Sequence, residues 1–498
     1  MSSPVSSPIC APKGKQRSIT TLAGNGTTVF NGDRGPGPAT GISKPCGIAV
    51  DRDGNLFFSE YDRHIVRRID AVTGTVTVVA GNGKYGFTND GGCSTMAKLY
   101  NPMGLATDGL GHLFIADASN YRVRRVDASG TITTYAGNGT TTAVNGAATQ
   151  SGLYTPSDVA ADTAGNVYIA EYNGHRVRKV SLDGNITTVA GTGSAGYDAS
   201  QVYAVNSPLY HPTGIAVDAD NNLYITEYYH RVRKVTPDGK ITTLIGDGSY
   251  SGGFAGDGGP AARAKVNIPQ GVAADKFGRL YIADSGNHRL RMVDMNLQEP
   301  KITTEAGNGT NTFEGDGTPA NSATLNSPWG VVADIDGNVY ICDQNNQRVR
   351  MVSAPVSSDN ANISVIPGGA VTLTKGGSRA YPGVEIHNNG LGAVPPQDVI
   401  VSLPALKGLR FEAEGANGAY ELTVYGAGGT QPPVRGTLQA SGTQLYFPNV
   451  NLLLPSVGSY SAIWLPITAT DQAPLGATAL TFQVGGRTSA SSQITVVD

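Results

Sequence analysis

A unit that opens Pro-x-Gly and ends in an arginine-rich strand recurs six times along this chain. It starts at Pro45, Pro102, Pro156, Pro212, Pro269 and Pro328, with steps of 57, 54, 56, 57 and 59 residues. Self-similarity at a fixed period of this length marks a propeller or a solenoid, whose units bury their faces only against neighbouring copies. The repeat therefore separates scaffold positions from positions free to vary.

The fourth copy shows the strand grammar. It runs Pro212-Thr-Gly-Ile-Ala-Val-Asp218, Asn222-Leu-Tyr-Ile-Thr-Glu227, His230-Arg-Val-Arg-Lys-Val235 and Lys240-Ile-Thr-Thr-Leu-Ile-Gly246. Each run is short, rich in Val, Ile, Tyr and Thr, and bounded by Gly, Asp or Asn. The first is small and continuously apolar, as a strand covered on both faces requires. The third alternates, which predicts Arg toward water and Val toward the core. Links such as Asp51-Arg-Asp-Gly-Asn55 and Asp334-Ile-Asp-Gly-Asn338 supply Asp to open a tight turn and Gly for its positive φ. Four antiparallel strands in each of six copies predict an all-β fold, a six-bladed β-propeller.

Copies one to five end in a fourth run such as Thr75-Val-Thr-Val-Val-Ala-Gly81, but copy six stops at Met351-Val352. A spare run, Ser18-Ile-Thr-Thr-Leu-Ala-Gly24, precedes the first copy. The simplest accounting makes it the outer strand of blade six, so that the propeller is closed by the N-terminal strand. Removing residues up to Gly26 is then expected to destabilise the propeller as a whole.

The motif Pro-x-Gly-(Ile/Val)-Ala-Val-Asp…Gly-Asn-Leu-Tyr-Ile-Ala-Asp…Asn-His-Arg-Val-Arg resembles the NHL repeat. Its best copies are Asp284-Ser-Gly-Asn-His-Arg-Leu-Arg291 and Glu171-Tyr-Asn-Gly-His-Arg-Val-Arg178. The loops Gly256-Asp-Gly-Gly-Pro-Ala261 and Gly315-Asp-Gly-Thr-Pro-Ala320 are similar to those of long bacterial NHL variants. The resemblance covers residues 18–352 and implies a six-bladed propeller. It leaves function open, because the family includes protein- and RNA-binding scaffolds, sensor domains and a zinc-dependent amidating lyase.

The expected organisation is a tail over 1–17, the propeller over 18–352, a polar linker over 353–362 and a β-sandwich over 363–498. The last segment carries about seven strand-like runs at sandwich spacing, which fits an immunoglobulin-like module. Net charge is −3 over 498 residues, so neither nucleic acid nor anionic membrane is an expected partner. No apolar run reaches membrane-spanning length. The first residues have neither the charged nor the apolar region of a signal peptide. The polar, weakly charged composition nevertheless favours an extracellular or cell-surface location, with the cytoplasm as the alternative, and a monomer. The four cysteines give no disulfide framework. Cys46 and Cys342 fall on neighbouring blades and are read as two thiols rather than a bridge, and pairing of Cys10 with Cys93 has no support.

Within the repeat, Glu60, Asp117, Glu171, Glu227, Asp284 and Asp343 form a ring of acids at the second-strand ends. Each copy also carries an arginine: Arg67, Arg124, Arg178, Arg233, Arg291 or Arg350. A paired carboxylate per blade explains the ring better than a metal site does. His64, His175, His230 and His288 share one repeat position and are read as scaffold. Asp257 and Asp316 lie in Gly-Asp-Gly loops and are candidate Ca²⁺ ligands, but too few oxygens accompany them, and a turn role is favoured. No cofactor is expected.

Departures from the repeat carry more information. Glu60-Tyr61, Glu171-Tyr172 and Glu227-Tyr228-Tyr229 end the second strands of copies one, three and four. Tyr100, Tyr154 and Tyr210 stand two before the proline in copies two to four, His211 directly precedes Pro212, and Asp158 replaces the repeat glycine. Trp329 is one of the mixed residues, with Cys46, Met103, Ser157, Thr213 and Gln270, that line the channel mouth. The expected site is a tyrosine-rich face of Tyr100, Tyr154, Tyr172, Tyr210, Tyr228 and Tyr229 with His211 and Asp158 in it, and Trp329 nearby. Tyrosine gives rigid, amphipathic contact area suited to a protein or carbohydrate ligand. The leading expectation is a non-catalytic binding scaffold. The alternative is a metal-dependent lyase or lactonase-like hydrolase at the channel mouth, using His211, Asp158 and Glu227 as acid or base.

Overall fold

The structure is a computed structural model. It describes residues 17–354, apart from 31, 33, 89, 201 and 247–249, together with the strands and some connections between 363 and 498. Two compact units divide near residue 355.

The first unit contains six antiparallel sheets, each built on an inner, a second, a third and an outer strand. In blade four these are Pro212–Val217, Leu223–Glu227, Arg231–Val235 and Ile241–Ile245. The inner strands lie side by side around an axis, and that of blade six lies against that of blade one. In blade six the outer position is taken by Ile19–Ala23, which pairs antiparallel with Arg348–Val352 in the register Ile19↔Val352, Thr20↔Met351. Short strands from the long loops, Arg34–Pro36, Gly92–Cys93 and Gly146–Ala147, add a fifth strand to blades one to three.

Where the inner strands converge, the repeat glycine is a steric necessity. A Cβ on Gly47 would lie 2.1 Å from the Met103 carbonyl, and one on Gly214 would lie 2.3 Å from that of Gln270. Between blades the apolar strand faces interleave. One such layer joins Ile215, Ile225 and Val235 of blade four to Tyr168, Ala170 and Val177 of blade three.

The third-strand arginines correct the expectation of an outward, hydrated face. Arg67, Arg124, Arg291 and Arg350 are wholly buried, and Arg178 and Arg233 are 1 % exposed. Burial of a guanidinium is tolerable only with a counter-charge and further partners. The counter-charge is the acid ring: the Arg–carboxylate distances run from 3.2 Å (Arg233–Glu227) to 3.7 Å (Arg124–Asp117). The long loops supply the remaining cover. Phe30, Phe87, Tyr197, Phe254 and Phe313 lie over Arg67, Arg124, Arg233, Arg291 and Arg350 at 4.7–5.1 Å, within cation–π range. Asp257 and Asp316 are second partners of these arginines, accepting from Arg291 and Arg350 at 2.8 and 2.7 Å. The loop carboxylates considered for calcium are thus placed against guanidinium groups.

The second unit contains all seven expected strands, among them Gly383–Asn388, Gln397–Ser402 and Gly476–Val484. It adds others, including Ile363–Pro367, Val434–Leu438 and Gln444–Val450. Most pairs are antiparallel, but Val371–Thr374 runs parallel to Thr488–Val497. Leu445, Phe447, Ile463 and Phe482 are buried.

Candidate functional site

The acid ring also fixes the loops that lead into each inner strand. In all six blades a carboxylate oxygen accepts the backbone N–H of the residue two before the proline. The donors are Ser43, Tyr100, Tyr154, Tyr210, Asn267 and Asn326, at 2.7–3.1 Å. Tyr100, Tyr154 and Tyr210 are therefore held by their backbones on the loop face, with their side chains free to differ.

The next residue is held just as firmly. Lys44, Asn101, Thr155, His211, Ile268 and Ser327 all have positive φ, between 44° and 56°. At four junctions the N–H of this residue donates to Nδ1 of the preceding blade's repeat histidine. These bonds are Asn101–His64, His211–His175, Ile268–His230 and Ser327–His288, at 3.1–3.2 Å. Between blades six and one, Gln347 Oε1 plays the same part for Lys44, at 2.7 Å. The bond leaves Nδ1 unprotonated. Burial accordingly lowers the pKa of His64, His175, His230 and His288.

The tyrosines gather on this frame, but not as one patch. Tyr172 and His211 stack at 4.3 Å with 26° between planes, and Tyr228 meets Tyr172 edge-on at 6.2 Å. Tyr210 lies 4.9 Å from His211 and 4.0 Å from Tyr229. His175, His230 and Tyr250 extend the group, so that eight rings run without a break across blades three and four. Tyr100 belongs to a separate group with His64 and Tyr85, and Tyr154 pairs with Tyr121. His211 Nδ1 donates to the Tyr172 carbonyl at 3.0 Å, the bond made at the first junction by Asn101 Nδ2 to the Tyr61 carbonyl.

Asp158 is not part of this surface. It is half-buried in the wall of the central channel, where Oδ1 accepts from Val159 N–H and Oδ2 from Ile215 N–H, both at 2.9 Å. Burial raises its pKa to about 7. Glu227 is buried against Arg233. His211, Asp158 and Glu227 thus have three separate sets of partners. Trp329 lines the channel and packs beside Ile48 and Tyr340. Among the described residues no group of three His, Cys, Asp or Glu converges as a metal site.

The NHL repeat model matches residues 153–180, 266–291 and 325–350, which span the inner and second strands and all or part of the third in blades three, five and six. The chain carries an NHL-repeat β-propeller. Human teneurin-4 is 29 % identical over 311 residues, spanning 57 % of this chain and 10 % of its own. The Arabidopsis thaliana protein suppressor of quenching 1, chloroplastic, is 27 % identical over 274 residues, spanning 52 % and 26 %. The chain thus corresponds to a minor part of either relative. An auxiliary nutrient binding protein from Bacteroides thetaiotaomicron superposes with a TM-score of 0.50 at 17 % identity, covering 68 % of this chain and 76 % of that one, a likeness of fold.

Within this NHL propeller, sequence reading missed His175, His230 and Tyr250 as members of the aromatic group. The histidines repeat and so look like scaffold, which they also are. Tyr250, in the blade four–five loop, has its counterpart in Tyr85 of the blade one–two loop, which packs on His64 and Tyr100. The aromatic caps on the arginines had a legible signal: an aromatic stands 36 or 37 residues before each Arg, except in blade three, where that position is Thr141.

Proposed function

We propose that this NHL propeller is a non-catalytic binding scaffold whose ligand, a protein or carbohydrate, docks on the aromatic surface of blades three and four. The continuous run of half-buried rings through Tyr172, His211, Tyr210, Tyr228 and Tyr229 carries this reading. Rigid aromatic side chains lose little conformational entropy on binding and dominate interface energetics. The second unit, read as an immunoglobulin-like sandwich, serves as spacer or second contact, and the polar, weakly charged composition favours a location outside the cell. The hydrolase or lyase alternative requires His211, Asp158 and Glu227 to act together. Their separate positions and partners weigh against it.

Glycan and protein arrays probed with the full chain supply the test. Tyr172→Ala and Tyr228→Ala are expected to weaken array hits by more than about tenfold, as truncation of a central aromatic does. Tyr154→Ala, outside the cluster, is expected to leave them unchanged. Hits that survive both cluster variants would refute the assignment.

A further inference from the structure

The channel holds a feature that the aromatic face does not use. The six inner strands enclose a cavity of about 230 Å³, and its walls are mostly Gly, Ala, Val, Ile and Leu. Asp158 is its single ionisable lining residue. Five blades keep glycine at this position, and only the third places a carboxyl on the axis. The neighbouring blade makes room for it, since a Cβ on Gly104 would fall 1.9 Å from Asp158 Oδ1.

Asp158 is oriented but has no counter-ion. Its two oxygens accept two backbone N–H groups, which favour the carboxylate, and no basic side chain balances the charge. The other five acids singled out on the second strands and Glu227 all face an arginine. A carboxylate withdrawn even partly from bulk water and left without a cation is costly. On the same cavity Gln270 is 5 % exposed and its Oε1 has no hydrogen-bond partner. Trp329, from the blade diametrically opposite Asp158, also lines it. The lumen thus offers one fixed negative charge, one unpartnered acceptor and one indole within apolar walls. Each is complementary to a cation bearing N–H donors.

The geometry points to the central channel as a binding site for a small primary ammonium compound, with Asp158 as the counter-charge, Gln270 Oε1 as second acceptor and Trp329 against the cation. The cavity has the room of about seven water molecules at roughly 30 Å³ each, which suits a ligand of about that many heavy atoms. This site is independent of the aromatic face and stands or falls separately from it.

Calorimetric titration of the full chain with n-butylammonium tests the proposal, with 1-butanol as the neutral control. Binding of roughly millimolar strength is expected for so small a ligand. Asp158→Gly restores the residue of the other five blades and is expected to keep the fold, as checked by melting. Asp158→Asn keeps the side-chain volume. Each is expected to weaken binding at least tenfold. Affinity in the wild type is expected to fall as pH drops through the Asp158 pKa of about 7. No uptake at about 20 mM, equal binding of 1-butanol, or undiminished binding by either folded variant would overturn the assignment.

Discussion

The junction histidines make a prediction about stability that separates a hydrogen-bonding role from simple packing. Each of His64, His175, His230 and His288 accepts a neighbouring blade's N–H at Nδ1, and Gln347 does the same at the remaining junction of this kind with Oε1. His288 and Gln347 also share a left-handed backbone, at φ 54° and 56°. His288→Gln should therefore cost less than about 0.5 kcal/mol at pH 7.5. His288→Leu strands the Ser327 N–H and should cost about 1 kcal/mol, the low end of the range for an unsatisfied donor because the site is half-buried.

Acid adds a second test. The folded-state pKa of each of these histidines lies below 6.5, so the unfolded chain takes up protons first as pH falls. Their contribution is fully present above pH 6.5 and is lost progressively below it. Asp117, Asp284 and Asp343 act in the opposite sense. Burial lifts each to about 6, so the folded state protonates first and gains stability as pH drops from there toward 3.8. Comparison of the wild type with the quadruple His→Gln variant cancels the carboxyl contribution. Denaturant unfolding at pH 7.5 and pH 5.5 should show the variant gaining on the wild type at the lower pH. An unchanged difference, or a His288→Gln variant as unstable as His288→Leu, would refute the hydrogen-bonding account.

Two further outcomes follow from burial. Ile19 is fully buried in the outer strand of blade six, and Ile19→Ala should lower stability by about 2–5 kcal/mol in denaturant melts. A cost under 0.5 kcal/mol would mean that the propeller does not depend on that strand. Cys46 and Cys342 are buried and not disulfide-bonded, with thiol pKa values raised by burial, whereas Cys93 is exposed. In a Cys10→Ser background, Ellman's reagent should therefore label one thiol before unfolding and three after. Rapid labelling of three would contradict the burial.

Much of this scaffold could be read from the chain because its causes are local and repeated. Strand limits and the pairing of each acid with its arginine recur six times at nearly fixed offsets, and the Asp-x-x-Gly turn recurs five times, with Asn221 in the glycine's place in copy four. The detached strand was legible because Met351-Val352 has no successor. The third-strand arginines were misread because alternation alone cannot reveal cover that comes from another loop, such as Phe254 over Arg291. Cys10 lies outside the described residues, so the reading that its pairing with Cys93 has no support stays untested. The site was legible in part. Tyr172, Tyr210, Tyr228 and Tyr229 do gather around His211, because a pre-proline residue always meets the previous blade's turn. Tyr100 and Tyr154 meet other junctions for the same reason. Asp158 went astray because the position after the variable residue points down the axis and not across the face.

The left-handed residue before each proline has a practical corollary. Its amide is pinned to the preceding blade at five of the six junctions, and its own ring or chain is unspecified: Lys44, Asn101, Thr155, His211, Ile268 and Ser327 all occupy it. Holding an L-residue there costs about 1–3 kcal/mol of backbone strain, which the surrounding bonds over-determine. The result is a carousel of six equivalent sockets on one face, each open to recoding without touching the strands. A chain built this way can exchange one ligand for another by altering sockets singly, and a designer can do the same.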